Sequence, residues 1–166
     1  MRQGFDKLLE QKLKNRKPKL KLGGGKSETI RKFKTNGEAD LNLLLIDLDK
    51  PESEIEKDLK DNDLLDDRDN VFYMIQEMES WFISQPNVLD EHYPKDLSGK
   101  LISSKIPKKH ASEIENPDEK LKSWTKGYKH PYHKIKDAVL LLQKLDANQL
   151  EKDFPEFDRL IKKLSS

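Results

Sequence analysis

Residues 41–52 read LNLLLIDLDKPE, and this stretch decides the fold. Leu43, Leu44, Leu45, Ile46 and Leu48 form a continuous apolar run, which predicts a strand over Leu41–Leu48 buried on both faces, as in a parallel sheet. Asp47 and Asp49 close the run. Residues two apart on a strand share a face, so the two carboxylates would stand side by side, and like charges held that close call for a cation. A solvated strand-to-loop transition or a helix cap is the plain alternative.

Outward from this strand, strands and helices alternate. Upstream, RQGFDKLLEQKLKN spaces Phe5, Leu8, Leu9 and Leu13 as a helix, and KNRKP ends it before Pro18. KLKL (19–22) alternates like a short strand. GGGKSETIRKFK then predicts a glycine turn at Gly23–Gly25, a helix capped by Ser27, and Ile30 and Phe33 on one face. Downstream, PESEIEKDLK reads as a surface helix with Pro51 in its first turn. Val71–Ile75 reads as a buried strand that turns into a helix through Trp81 and Phe82. The alternation predicts a three-layer α/β fold with right-handed crossovers and a small, mainly parallel sheet. Residues 1–94 would form the α/β core. Residues 95–166, polar and broken before two amphipathic helices (YHKIKDAVLLLQKL and FPEFDRLIKKL), would pack back on it as one domain.

Composition narrows the class. The chain has 166 residues, 34% hydrophobic and 38% charged, against about 25% charged in ordinary soluble domains. The core is therefore lean, and a partner covering part of the surface is expected. Net charge is +1, but the first 34 residues are rich in Lys and Arg while 38–69 are rich in Asp and Glu. A polyanion suits one end and a cation the other; a solvated mosaic is the plain reading. Cysteine is absent, which excludes disulfides and cysteine zinc sites and fits a reducing cytoplasm. No apolar run approaches the roughly 20 residues of a membrane span.

Ligands of open parallel sheets bind beyond the carboxyl ends of the strands, where Asp47, Asp49 and the segment Gln76–Glu79 would lie. Mg²⁺ or Mn²⁺ takes one or two carboxylates and phosphate oxygens there. Glu79 alone would pass for an ordinary helix charge. GGGKS is a poor phosphate loop, because the glycine required five positions before Gly25 is Leu20. Backbone N–H groups and Lys26 at this turn still offer a phosphate contact, beside the reading as a simple turn. Four histidines, His92, His110, His130 and His133, lack zinc spacing. Lys126, Lys129, His130, His133, Lys134 and Lys136, interleaved with Tyr128 and Tyr132, make a basic aromatic cluster suited to phosphate and base contacts, or a solvated helix face. The basic first helix, with Lys7, Lys12, Lys14 and Arg16, adds a second candidate nucleic-acid surface.

Several of these segments, RQGFDKLL, GGGKSETIRKF, LLLIDLDKP, YMIQEMESWFISQPNVLDEHY, IPKKHASEIENPDEKL and YHKIKDAVLLLQKLD, resemble in order the Toprim-like domain of unknown function 4276 family. The resemblance implies a Toprim-like fold and a Mg²⁺- or Mn²⁺-dependent nuclease related to the overcoming-lysogenisation-defect type. It implies a phage-defence setting with an ABC-type or AAA-type ATPase partner. On it, Asp47 and Asp49 match metal carboxylates, Gln76 and Glu79 match the characteristic QEMESWF block, with Glu79 expected as a catalytic group or third metal ligand, and Tyr132 and Lys134 match a late Tyr-x-Lys segment. Lys134 would stabilise phosphate charge; Lys26, Lys126, Lys129 and Tyr132 would contact nucleic acid, DNA before RNA. The departure is at the start: relatives open with a strand bearing a VEGGG-like motif, whereas this sequence reads MRQGF. Either the sequence is a shortened version of a longer protein, or this member lacks the first-strand glutamate and a central strand, in which case a homodimer or the ATPase is expected to cover the sheet edge. The alternative function is a non-catalytic regulatory subunit of such an ATPase.

Overall fold

The structure is a computed structural model that describes residues 1–13, 17–37 and 41–166. Lys14, Arg16 and the predicted helix end, like the first residues of the acidic stretch, lie outside the described residues. Helix α1 (Arg2–Leu13) buries Leu8, Leu9 and Leu13 on its inner face. Gly4 lets it approach a late helix closely: a Cβ there would sit 2.9 Å from the Leu142 side chain. Residues 19–22 form no strand. Helix α2 (Lys26–Thr35) starts after Gly25 with no side-chain cap, so Ser27 lies inside the helix and does not cap it.

Strand β1 is Leu44–Asp47, shorter than the apolar run, and it alternates buried and half-buried residues. A 3-10 turn at Glu52–Glu54 delays helix α3 to Ile55–Asp61, with Pro51 just outside. Strand β2 (Val71–Met74) is buried throughout. The two strands pair in parallel, Leu44 opposite Val71 and Asp47 opposite Met74. They make a two-stranded sheet among the described residues.

Alternation along the strands sends their side chains into two apolar clusters. Leu44, Ile46, Leu48, Val71, Tyr73 and Ile75 pack with Ile30 of α2 and Leu59 of α3. On the other side, Leu45 and Met74 meet a larger cluster that includes Leu8, Trp81, Phe82, Leu141 and Phe157. The chain is thus a small α/β fold with helices on both faces of the sheet. The large cluster is built by α1 and by α4 (Glu79–Ile83), α5 (Pro86–His92), α6 (Pro117–Thr125), α7 (Lys134–Lys144), α8 (Ala147–Asp153) and α9 (Pro155–Ser165). The expected pair of C-terminal helices is α7 and α9. The unexpected α8 starts where the Asp146 carboxylate accepts the Asn148 N–H at 2.8 Å.

The outer edge of β2 is capped within the chain. Tyr73 donates its N–H to Glu156 Oε2 at 3.2 Å, and the Val71 carbonyl accepts from Arg68 Nη1 at 2.8 Å and from Arg159. Glu156 is 5% exposed. Burial works against its charge, but hydrogen bonds from Arg159 and Arg68 outweigh it and hold the carboxyl below its ordinary range. Helix α9 thus covers this edge of β2 from within the chain.

Candidate functional site

The strands end in two interlocked turns. Beyond β1 the chain swings at Asp49 (φ 60°), and beyond β2 it swings at Gln76 (φ 57°). Asp49 donates its N–H to the Gln76 carbonyl at 2.6 Å, and Gln76 donates to the Lys50 carbonyl at 3.3 Å. Non-glycine residues in the left-handed region carry strain, and such strain concentrates at functional sites. The turns also reverse an expectation. Because β1 stops at Asp47, the two-residue alternation does not reach Asp49, which acts on Asp47 as a like charge more weakly than Glu79 does. Asp49 is exposed, with Lys26 Nζ 3.9 Å away.

Asp47 turns inward. Its Oδ1 accepts the Met78 N–H at 2.8 Å, which ties the end of β1 to the start of α4. One residue on, Glu79 is fully buried. Its Oε1 accepts from the Tyr132 hydroxyl at 2.7 Å and its Oε2 from Lys134 Nζ at 3.3 Å. Asp47, Glu79 and Lys134, far apart in sequence, thus meet beyond the carboxyl ends of the strands. Glu77 and Asp118 form an outer tier: Glu77 Oε2 accepts the Asp118 N–H at 3.0 Å, and Asp118 Oδ2 pairs with Lys122 at 2.6 Å. Asp118 Oδ1 is buried without a partner among the described residues.

Electrostatics separate these groups. Burial pushes the Asp47 carboxyl up to about 7; Lys134 and the Met78 N–H oppose the rise, and Glu79 and, more weakly, Asp49 add to it. Burial likewise raises Glu77, helped by Glu79. For Lys134, burial opposes the charge, but Glu79 and Asp47 outweigh it and raise the ammonium pKa. Carboxylate charge therefore exceeds what Lys134 neutralises. A hard divalent cation takes such oxygen donors together with water. The chemistry of Asp47 and Glu79 fits that ion, while Asp49, exposed beside Lys26, adds a weaker like charge to Asp47. Among the described residues, no group of three or more Asp, Glu or His is gathered as a ligand set.

The remaining candidates divide. Tyr132 is corrected from a base contact to a buried support: it is 4% exposed, and its N–H donates to Thr125 Oγ1 at 2.8 Å. Tyr128 is buried too, its hydroxyl on the Lys100 carbonyl at 3.0 Å. Lys26 is occupied by Asp58 at 2.9 Å and the Leu48 carbonyl at 3.3 Å, which removes it from an open phosphate site. Lys126, Lys129 and His130 remain exposed on the loop between α6 and α7. Residues 100–136 carry ten lysines against four carboxylates; Lys134 of this segment reaches the acidic site, while Lys105 and Lys122 pair with Asp96 and Asp118. Asp118 and Thr125 escaped sequence reading, since each looks like an ordinary polar helix residue, while Glu77 was reached only as part of the segment Gln76–Glu79. A cavity of about 610 Å³ lies at the opposite end of the strands, among Phe33, Leu41, Lys60, Asp66 and Asn70, away from this chemistry.

Fold and site together define a small α/β protein with a buried carboxylate–lysine cluster beyond its strand ends. The chain belongs to the family described as Domain of unknown function (DUF4276), whose family model matches residues 2–165. No curated protein and no solved structure gives a match. No helix among the described residues is long and apolar enough to cross a membrane.

Proposed function

We propose that this chain is a divalent-metal-dependent hydrolase of nucleic-acid phosphodiester bonds. The observation that carries the reading is the convergence of Asp47, Glu79 and Lys134; the exposed Lys126 and Lys129 lie on the loop that leads into Lys134. Asp47 and Glu79 would hold Mg²⁺ or Mn²⁺, which when bound polarises a phosphoryl group and orients an attacking water. Lys126 and Lys129 attract the phosphate backbone by charge, independent of base sequence. Lys134 supplies positive charge where negative charge grows on the phosphate. Tyr132 holds Glu79 in one rotamer. The Toprim-like resemblance supports the same chemistry, and it is the basis for proposing a phage-defence role with an ABC-type or AAA-type ATPase partner.

Purified protein incubated with plasmid and single-stranded DNA and Mn²⁺ tests this. Cleavage is expected for wild type and Asp49→Asn, and is expected to be lost in Asp47→Asn and Glu79→Gln. Cleavage that survives both of the latter substitutions would remove the assignment. One observation favours a second reading, a non-catalytic regulatory subunit: Glu79 already has a lysine counter-ion. DNA binding without cleavage under any metal is the outcome that selects it.

A further inference from the structure

Lys134 faces two ways. Its Nζ contacts Glu79 Oε2 at 3.3 Å, and its side chain is 40% exposed where that of Glu79 is 0% exposed. The ammonium therefore closes the carboxylate site on its solvent side. Asp47, Glu77 and Asp118 also act on its charge, all in the attractive sense. Tyr132, two residues earlier, is fixed: its hydroxyl holds the other Glu79 oxygen at 2.7 Å, and its backbone is tied to Thr125. Thr125 is anchored in turn by its hydroxyl, which donates to the Leu121 carbonyl at 2.6 Å. One support of Glu79 is thus rigid and neutral; the other is charged and half open to water.

We propose that Lys134 is the resident counter-ion of this site, and that it gives up the carboxylates to an incoming divalent cation and turns outward to a substrate phosphate. The inference rests on the metal-dependent reading above. An ammonium and a dication cannot share the Asp47–Glu79 oxygens at contact distance, because their repulsion grows as they leave bulk water. The exposed half of the lysine stem gives the ammonium a path out. Tyr132 keeps Glu79 oriented during the exchange, since a neutral hydroxyl on Oε1 does not oppose a cation on Oε2. The exchange couples the two steps: the group that neutralises the empty site becomes free for the phosphate once the cation has replaced it.

Mn²⁺ titration of the full chain at pH 8, followed by the resonance signal of the free ion, tests the exchange on wild type, Lys134→Met and Lys134→Arg. A charge this close shifts proton affinity by 1–3 pKa units, so Lys134→Met is expected to bind Mn²⁺ about tenfold tighter or more. Lys134→Arg is expected to bind no tighter than wild type. Equal or weaker binding by folded Lys134→Met overturns the exchange; the metal reading survives that result if Asp47→Asn abolishes binding. Absence of Mn²⁺ binding in every folded variant overturns both. A second measurement needs no variant: acylation of Lys134 by an amine-reactive ester, read by peptide mass, is expected to speed up several-fold with Mn²⁺. An unchanged rate overturns the exchange even if Lys134→Met fails to fold.

Discussion

Asp47 shows how the burial of one carboxyl sets both the cost and the chemistry of the site. Its carboxyl titrates near 7 in the fold against 3.8 as an ordinary aspartate. A carboxyl raised on folding stabilises below its unfolded value and loses that contribution as pH climbs through its folded value. Metal-free wild type should therefore lose stability between about pH 4 and 7, by on the order of 2–4 kcal/mol from this group. Asp47→Asn keeps an acceptor for the Met78 N–H and removes the charge. Urea midpoints should thus nearly coincide at pH 4 and favour the variant at pH 8. Parallel curves for the two proteins would show that Asp47 is not the group responsible. The same scale shows where sequence reading ends. Asp47 was legible because aliphatic residues ran into it. The separation of Asp49 was not, since alternation assumes that the strand continues and nothing in LIDLDK announces a left-handed turn. Tyr132 misled for another reason: among Lys, His and Pro it has the look of a surface ring, and only the burial of Glu79 requires its hydroxyl inside.

At the scale of elements, the sheet endures with two strands because α9 closes one edge. Glu156 is the joint: it accepts from Arg68, Arg159 and the Tyr73 N–H, while the Arg159 guanidinium lies 4.0 Å from the Phe72 ring centroid. Breaking a buried ion pair from one side costs about 3–5 kcal/mol, and partial exposure of both arginines places this case at the low end. Glu156→Gln should accordingly destabilise the fold by roughly 3 kcal/mol at pH 7 in urea unfolding. Because the Glu156 carboxyl is depressed, its contribution is present above its unfolded value and disappears as pH falls through the folded one. The difference between wild type and variant should therefore shrink in acid; a constant difference would mean that packing, not charge, is at stake. The strands themselves were readable from their apolar runs. The edge cover was not, because FPEFDRLIKKL announces an amphipathic helix without saying which element its Glu and Arg will meet, and α8 hid between two stronger helical patterns.

For the whole molecule, the ends of two short strands and the starts of α4 and α7 bring together groups spread over 88 positions, from Asp47 to Lys134. No spacing rule links these residues. Burial links them, because Glu79 can be dry only if Tyr132 and Lys134 arrive from the other half of the chain. On the proposed function, Asp47 and Glu79, rather than Asp47 and Asp49, share a cation. Thermal melting with and without millimolar Mn²⁺ tests it most directly. A ligand at several times its dissociation constant stabilises the fold by on the order of 1 kcal/mol. This shift is expected in wild type and Asp49→Asn and is expected to vanish in Asp47→Asn and Glu79→Gln; a shift lost in Asp49→Asn and kept in Glu79→Gln would contradict the Asp47–Glu79 assignment.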